Sequence, residues 1–201
     1  MAQRQRTGLA VFAIVTIGAC VPGFAQTDRR AAVVLARSSS TAVRSYDTAA
    51  GAPSLSALPV NLMVARLYQP TIEQLLRDSP TFRRQCARVA AAPQLRVMIE
   101  SEPPQGLHRR AAVTHVSRYD AGRIVARVLV PTSTRTPELI AHELEHVLEQ
   151  LDGVDLRAKA RLKTTGVHAC DSGDTTPAYE TPRAVYAERR VALELEAASR
   201  R

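Results

Sequence analysis

Thr136-Pro137-Glu138-Leu139-Ile140-Ala141-His142-Glu143-Leu144-Glu145-His146-Val147-Leu148-Glu149-Gln150-Leu151-Asp152-Gly153 is the stretch of this 201-residue chain on which the reading of all the others depends. Its ends carry helix punctuation. Thr136 suits the cap position, and Pro137 suits the first helical position, where its missing N–H would have no partner. Glu138 sets an acid near the positive end of the helix dipole, and Gly153 suits a left-handed exit. Between them Leu139, Ile140, Leu144, Val147, Leu148 and Leu151 recur at three- and four-residue spacing, which predicts a largely buried helix. His142 and His146 stand one turn apart on it and point the same way, as two imidazoles closing on one zinc ion must. Glu143 lies beside the first of them, in reach of a water on the metal's open position.

The segments before this helix predict a small sheet. Pro70–Arg77 and Pro80–Ala91 read as consecutive short helices; Ser79 caps the second, and Phe82, Cys86, Val89 and Ala90 form its apolar stripe. Leu95–Glu100, Ala111–Ser117 and Arg123–Val130 read as strands, separated by the turn signals Pro103-Pro104-Gln105-Gly106 and Asp120-Ala121-Gly122. A final helix is predicted over Pro182–Ala198, with Thr181 as its cap and Pro182 at its first position. The fold class expected from this order is α+β: a sheet of three or more strands, the His-bearing helix and a C-terminal helix.

At its N-terminus the chain reads as a targeting segment. Arg4 and Arg6 precede the apolar run Gly8–Cys20, and Gly23-Phe24-Ala25 offers small residues at a cleavage site, so residues 1–25 are expected to be a signal peptide. The apolar run is too short to span a bilayer, and no transmembrane helix is expected. Ile17-Gly18-Ala19-Cys20 is an alternative signal, a lipobox-like sequence in which Cys20 would carry a lipid anchor. Either way the protein is expected to be exported, periplasmic or secreted. Residues 26–58, rich in Ala, Ser, Thr and Arg, read as a linker or flexible arm, and residues 59–201 as the folded domain. In an oxidising compartment Cys86 and Cys170 would be the remaining pair, and a disulfide between them is one expectation; two buried thiols is the other.

Lys and Arg total 27 against 19 acids, giving a net charge of +8. Only Lys159 and Lys163 are lysines, the arginines are scattered, and no recognition motif accompanies them. A solvated basic surface explains this better than specific nucleic-acid binding, which is not expected.

Residues 136–153 resemble the active-site helix of the zincin metallopeptidases, and the segment from His142-Glu143-Leu144-Glu145-His146 to Tyr179-Glu180-Thr181 resembles small bacterial secreted proteins of that type. The resemblance implies a peptidase that hydrolyses peptide bonds of a peptide or protein substrate. In it His142 and His146 are zinc ligands, Glu143 is the general base, and a third ligand comes from elsewhere in the chain. The metzincin pattern would need glycine at Glu149 and histidine at Asp152, so that branch fails. The gluzincin branch, which takes a glutamate from just before or within a neighbouring helix, is implied instead. Glu180 is favoured as third ligand over Glu188, with His168 behind both. No aspartate follows either glutamate at four-residue spacing, which leaves the outer support of the histidines unassigned. Glu145 and Glu149 are expected to serve packing edges or solvent, and Tyr179 and Tyr186 to be structural. In zincins a strand bordering the cleft pairs with substrate, and the strand directly before the helix is a candidate for that place. A catalytically inactive zinc-binding envelope interaction module is the alternative function, and a basic surface-binding factor a third.

Overall fold

The computed structural model describes residues 57–103, 107, 110–170 and 177–201, together with the backbone of 13–20. The expected cleavage site at Ala25 and nearly all of the 26–58 arm lie outside the described residues. Strands β1 (Ala13–Cys20), β2 (Leu62–Val64), β3 (Leu95–Ser101), β4 (Arg110–Arg118) and β5 (Ile124–Val130) form one mixed sheet in the order β1-β4-β5-β3-β2. The β1–β4 and β4–β5 pairs are antiparallel, and β5–β3 and β3–β2 are parallel. Helices α1 (Gln69–Asp78), α2 (Pro80–Ala90), α3 (Thr136–Leu151) and α5 (Pro182–Ser199) pack on one face. A short helix α4 (Leu156–Arg161) and a hairpin of β6 (His168–Cys170) and β7 (Ala178–Glu180) lead from α3 into α5. The α+β expectation holds, with a larger sheet than the three strands legible in the sequence.

Period-two alternation explains the sheet's two faces. Leu95, Val97 and Ile99 of β3, Ala112 and Val116 of β4, and Ile124, Ala126, Val128 and Val130 of β5 enter the main core. There they meet Ile72 and Leu75 of α1, Phe82, Cys86 and Val89 of α2, and Ile140, Leu144, Val147 and Leu148 of α3. On the opposite face Val113 and Leu129 make a small cluster with Leu107, and Arg127 pairs with Glu100 at 2.6 Å. β5 therefore lies inside the sheet, between β4 and β3, and cannot be the strand that borders a cleft. On its other side β4 pairs antiparallel with the N-terminal strand β1.

Helix punctuation behaves mostly as the residue types require. Ser79 accepts from the Phe82 N–H at 3.0 Å and Thr181 from the Ala184 N–H at 3.1 Å, as predicted. Gly153 leaves α3 with φ 72°. Thr136 is not a cap: it is already helical, and its hydroxyl bonds the carbonyls of Pro131 and Ser133 in the preceding loop.

The Cys86–Cys170 disulfide is not formed. Cys86 is a free thiol inside the main core, on the α2 stripe that faces the sheet, and burial pushes it up to about 12. It serves there as a small hydrophobe.

Polar latches hold the helices in register. Glu194 of α5 accepts from Ser79 Oγ at 2.6 Å, Thr81 N at 3.1 Å and Thr81 Oγ1 at 2.8 Å, so a carboxylate from one helix closes the N-terminus of another. Glu194→Ala is expected to lower unfolding free energy by about 2 kcal/mol, because it strands donors at a mostly buried helix end. Urea denaturation measures it, and a loss below about 0.5 kcal/mol would mark the contact as incidental. Gln85 of α2 donates to Ala141 O at 2.9 Å and Glu145 Oε2 at 2.8 Å, while Arg183 of α5 reaches Glu145 at 2.5 Å and Asp152 at 2.7 Å. Glu145 is thus a buried joint between α2, α3 and α5. The expectation of solvent for it is corrected.

Candidate metal centre

α3 is the most deeply enclosed element, and its burial fixes which atoms of the histidines remain available. The rings of His142 and His146 lie 4.9 Å apart between centroids and are 1% and 0% exposed. Each is oriented through Nδ1. His142 Nδ1 faces Glu188 Oε2 at 2.8 Å, and Arg135 holds the other oxygen of that carboxylate. His146 Nδ1 faces Glu149 Oε2 at 3.0 Å, and Thr181 Oγ1 donates to the same oxygen at 3.1 Å. With both Nδ1 atoms engaged, both Nε2 atoms point to one place.

That place is Glu180. Its Oε1 is 3.3 Å from His142 Nε2 and 4.0 Å from His146 Nε2. The three ligand atoms lie within 4.8 Å of one another, a His142–His146–Glu180 group that could hold a metal ion. The fit is supported by a further observation: both Nε2 atoms are buried, neither makes a well-aligned hydrogen bond, and the polar group nearest to His142 Nε2 is the Glu180 carboxylate itself. Buried polar atoms without partners are costly, and a pair of them converging on a carboxylate is relieved by a shared cation. A tetrahedral ion bound at about 2.0–2.1 Å sets its donors about 3.3 Å apart; the His142–Glu180 separation matches this, and the His146–Glu180 separation of 4.0 Å is longer.

Glu180 reaches this position because β7 ends where α5 begins. Thr181 leaves the strand in an extended conformation and caps α5, and its N–H binds Glu180 Oε1 at 2.9 Å. Gly166, at φ 69°, is what lets the chain entering β6 pass this junction. A Cβ there would stand 2.8 Å from Pro182 Cγ, and neither contact nor dihedral suits another residue.

The rival third ligands fall into other places. Glu188 lies on the Nδ1 side of His142 and orients the ring, which supplies the outer support the sequence left unassigned. Glu149, expected at a packing edge or in solvent, is 4% exposed and does the same for His146. His168 is the cross-strand neighbour of Glu180 on β6, is exposed, and does not join the group. Tyr179 packs with Leu156 and Val167 beneath α4, and Tyr186 sits on the solvent side of α5. Glu143 is 0% exposed, and Thr114 Oγ1 of β4 donates to its Oε2 at 2.7 Å.

Burial and the neighbouring carboxylates set the charges around the group. Burial alone would lower His142, but the carboxylates of Glu180 and Glu188 outweigh it and hold the imidazole up to about 10. Burial, reinforced by the charge on His142, pulls His146 down to about 3. Glu180 would be raised by burial, yet its contact with His142 holds it below the usual carboxylate range. Glu149 is pushed up to about 7 by burial, against the pull of Thr181 and Arg183. Without metal, then, His142 carries a proton at neutral pH, and ligation through its Nε2 lone pair must expel it. Metal uptake at pH 7 is expected to release about one proton, and affinity to rise with pH up to about 10. Calorimetry in buffers of different ionisation heat counts the protons; a count near zero would contradict this charge assignment.

Fold and site together define an α+β protein with a His-His-Glu group, its two histidines buried, that could hold a metal ion. Comparison with protein-family models, curated proteins and solved structures finds no match. Among the described residues no helix is long and apolar enough to cross a membrane.

Proposed function

We propose that this protein is an exported zinc-dependent peptidase. The observation that carries the reading is the convergence of two buried Nε2 atoms on Glu180, with Glu143 next to His142 on the same helix. Two imidazoles and one carboxylate are the donor set of catalytic zinc sites that keep a fourth position open. Zinc bound by His142, His146 and Glu180 would acidify a water and polarise a carbonyl. Glu143 would be the group that takes a proton from water there and returns one to the departing amine, so a single carboxylate would serve as base and then as acid. Glu188 and Glu149 hold the two rings in the tautomer that presents Nε2.

What favours a peptide over a small ester or amide is the edge of β4. Main-chain pairing with that edge accommodates an extended strand running antiparallel, as residues Ala13–Cys20 do, and that strand also lies against β7 beside Glu180. Removal of residues 1–25 on export would bare this edge to a substrate backbone, where hydrogen bonds supply affinity and side-chain pockets supply preference.

The test uses protein purified after export from a bacterial host. Mass spectrometry of its N-terminus separates cleavage after Ala25 from lipidation at Cys20. Zinc-loaded protein is expected to cleave members of an unstructured peptide library, and the cleavage to stop on chelation and return with zinc. Stoichiometric zinc with no cleavage of any member would replace the peptidase by an envelope interaction module.

A further inference from the structure

We infer that Thr114 of β4 is a positioning residue for the general base, an inference that rests on the peptidase reading above. Side chains of β4 alternate between the two faces, and Ala112, Thr114 and Val116 point toward the helices. Ala112 and Val116 are ordinary core residues at 0% and 1% exposure. Thr114, between them, is 0% exposed and brings a hydroxyl into that apolar row. Valine would fill almost the same volume without burying a polar atom, so the hydroxyl has a cost that its hydrogen bond must offset.

The acceptor is Glu143. Thr114 Oγ1 lies 2.7 Å from Glu143 Oε2 and 3.3 Å from the backbone carbonyl of the same residue. One hydroxyl proton serves one strong bond, and the shorter contact to a carboxylate is the charge-assisted one. The bond to Oε2 gives the Glu143 side chain a fixed partner on the sheet. It also pins the carboxylate at one end. The side chain of Glu143 has three rotatable bonds, and a bond to the sheet limits how far they can swing its carboxylate. Thr114 is anchored in the sheet, which does not move with the helix surface, so the base is held from a rigid second element. Misplacing a reacting group by about 1 Å costs on the order of a hundredfold in rate.

Thr114→Val keeps the shape and removes the donor, while Thr114→Ser keeps the donor. For the zinc-loaded exported protein, Thr114→Val is expected to lower kcat about ten- to a hundredfold at nearly unchanged KM. Thr114→Ser is expected to stay within about threefold of wild type, and zinc content to be equal in all three. In the Glu143→Gln background, Thr114→Val should add almost nothing, because the group it positions is already disabled. A second readout does not depend on turnover. In cobalt-substituted protein the visible absorption band reports the surroundings of the open position; Thr114→Val should shift it in the same sense as Glu143→Gln, and Thr114→Ser should leave it in place.

Absence of hydrolysis by wild type would overturn the peptidase reading alone, with the cobalt comparison still deciding the contact. The inference itself is overturned if Thr114→Val leaves kcat and the cobalt band at wild-type values. It is equally overturned if Thr114→Ser is as damaged as Thr114→Val, or if the loss persists in full on top of Glu143→Gln.

Discussion

Replacing Glu143 by glutamine is expected to reduce peptide hydrolysis by about a hundred- to ten-thousandfold while leaving zinc bound at full stoichiometry. The side chain keeps its length and its ability to accept from Thr114, whose hydroxyl lies 2.7 Å from Oε2 in the wild-type protein. What it loses is the capacity to take a proton. Because Glu143 is absent from the group of converging ligand atoms, its substitution should spare the metal. Active-site titration of turnover against bound zinc gives the two numbers from one preparation. Hydrolysis within about threefold of wild type would remove Glu143 from the chemistry and require another base.

The second large effect concerns the metal itself. His146→Ala is expected to weaken zinc binding by well over a hundredfold, since it deletes a ligand from a three-residue set. Glu180→Ala should behave alike. Glu188→Ala should cost only about ten- to a hundredfold, the range for a group that orients a ligand, because its Oε2 contacts Nδ1 of His142, 2.8 Å away on the side of the ring opposite Glu180. Competition with a chromophoric chelator ranks the variants, with circular dichroism as the check that each is folded. Loss of zinc in Glu188→Ala with retention in Glu180→Ala would exchange the roles of the two glutamates. Full retention in His146→Ala would mean that the metal sits elsewhere or nowhere.

Glu188 and Glu180 also show where residue types stop being informative. Glu180 stands just before α5 and Glu188 within it, and both meet His142 of α3, so either residue type suits a third ligand. They differ in which nitrogen of His142 they meet. That depends on the angle at which α5 crosses α3 and on the β6–β7 hairpin, whose three-residue strands carry too little periodicity to be read. Glu149 was obscured for a related reason. Three residues after His146 it shares a helix face with that ring, but a glutamate there is usually solvated, and only the enclosure of α3 turns it into a partner. Thr114 left a faint signal, a lone hydroxyl in an alternating apolar strand, with no indication of what it would meet. Cys86 read equally well as half of a disulfide or as core; the packing of α2 against the sheet makes it core.

Helices α2, α3 and α5, strands β3 to β5, and the pairing of His142 with His146 follow from short-range chemistry. Caps, prolines at helix starts, and periods of two or 3.6 residues act over a turn or two of chain, and they survive in one dimension. The order of the strands, the inward burial of Glu145 and Glu149, and the choice of Glu180 over Glu188 arise from contacts between segments more than thirty residues apart or from enclosure by them. Local preference says nothing about those distances, because the same residue can be solvated or buried according to what the rest of the chain brings against it.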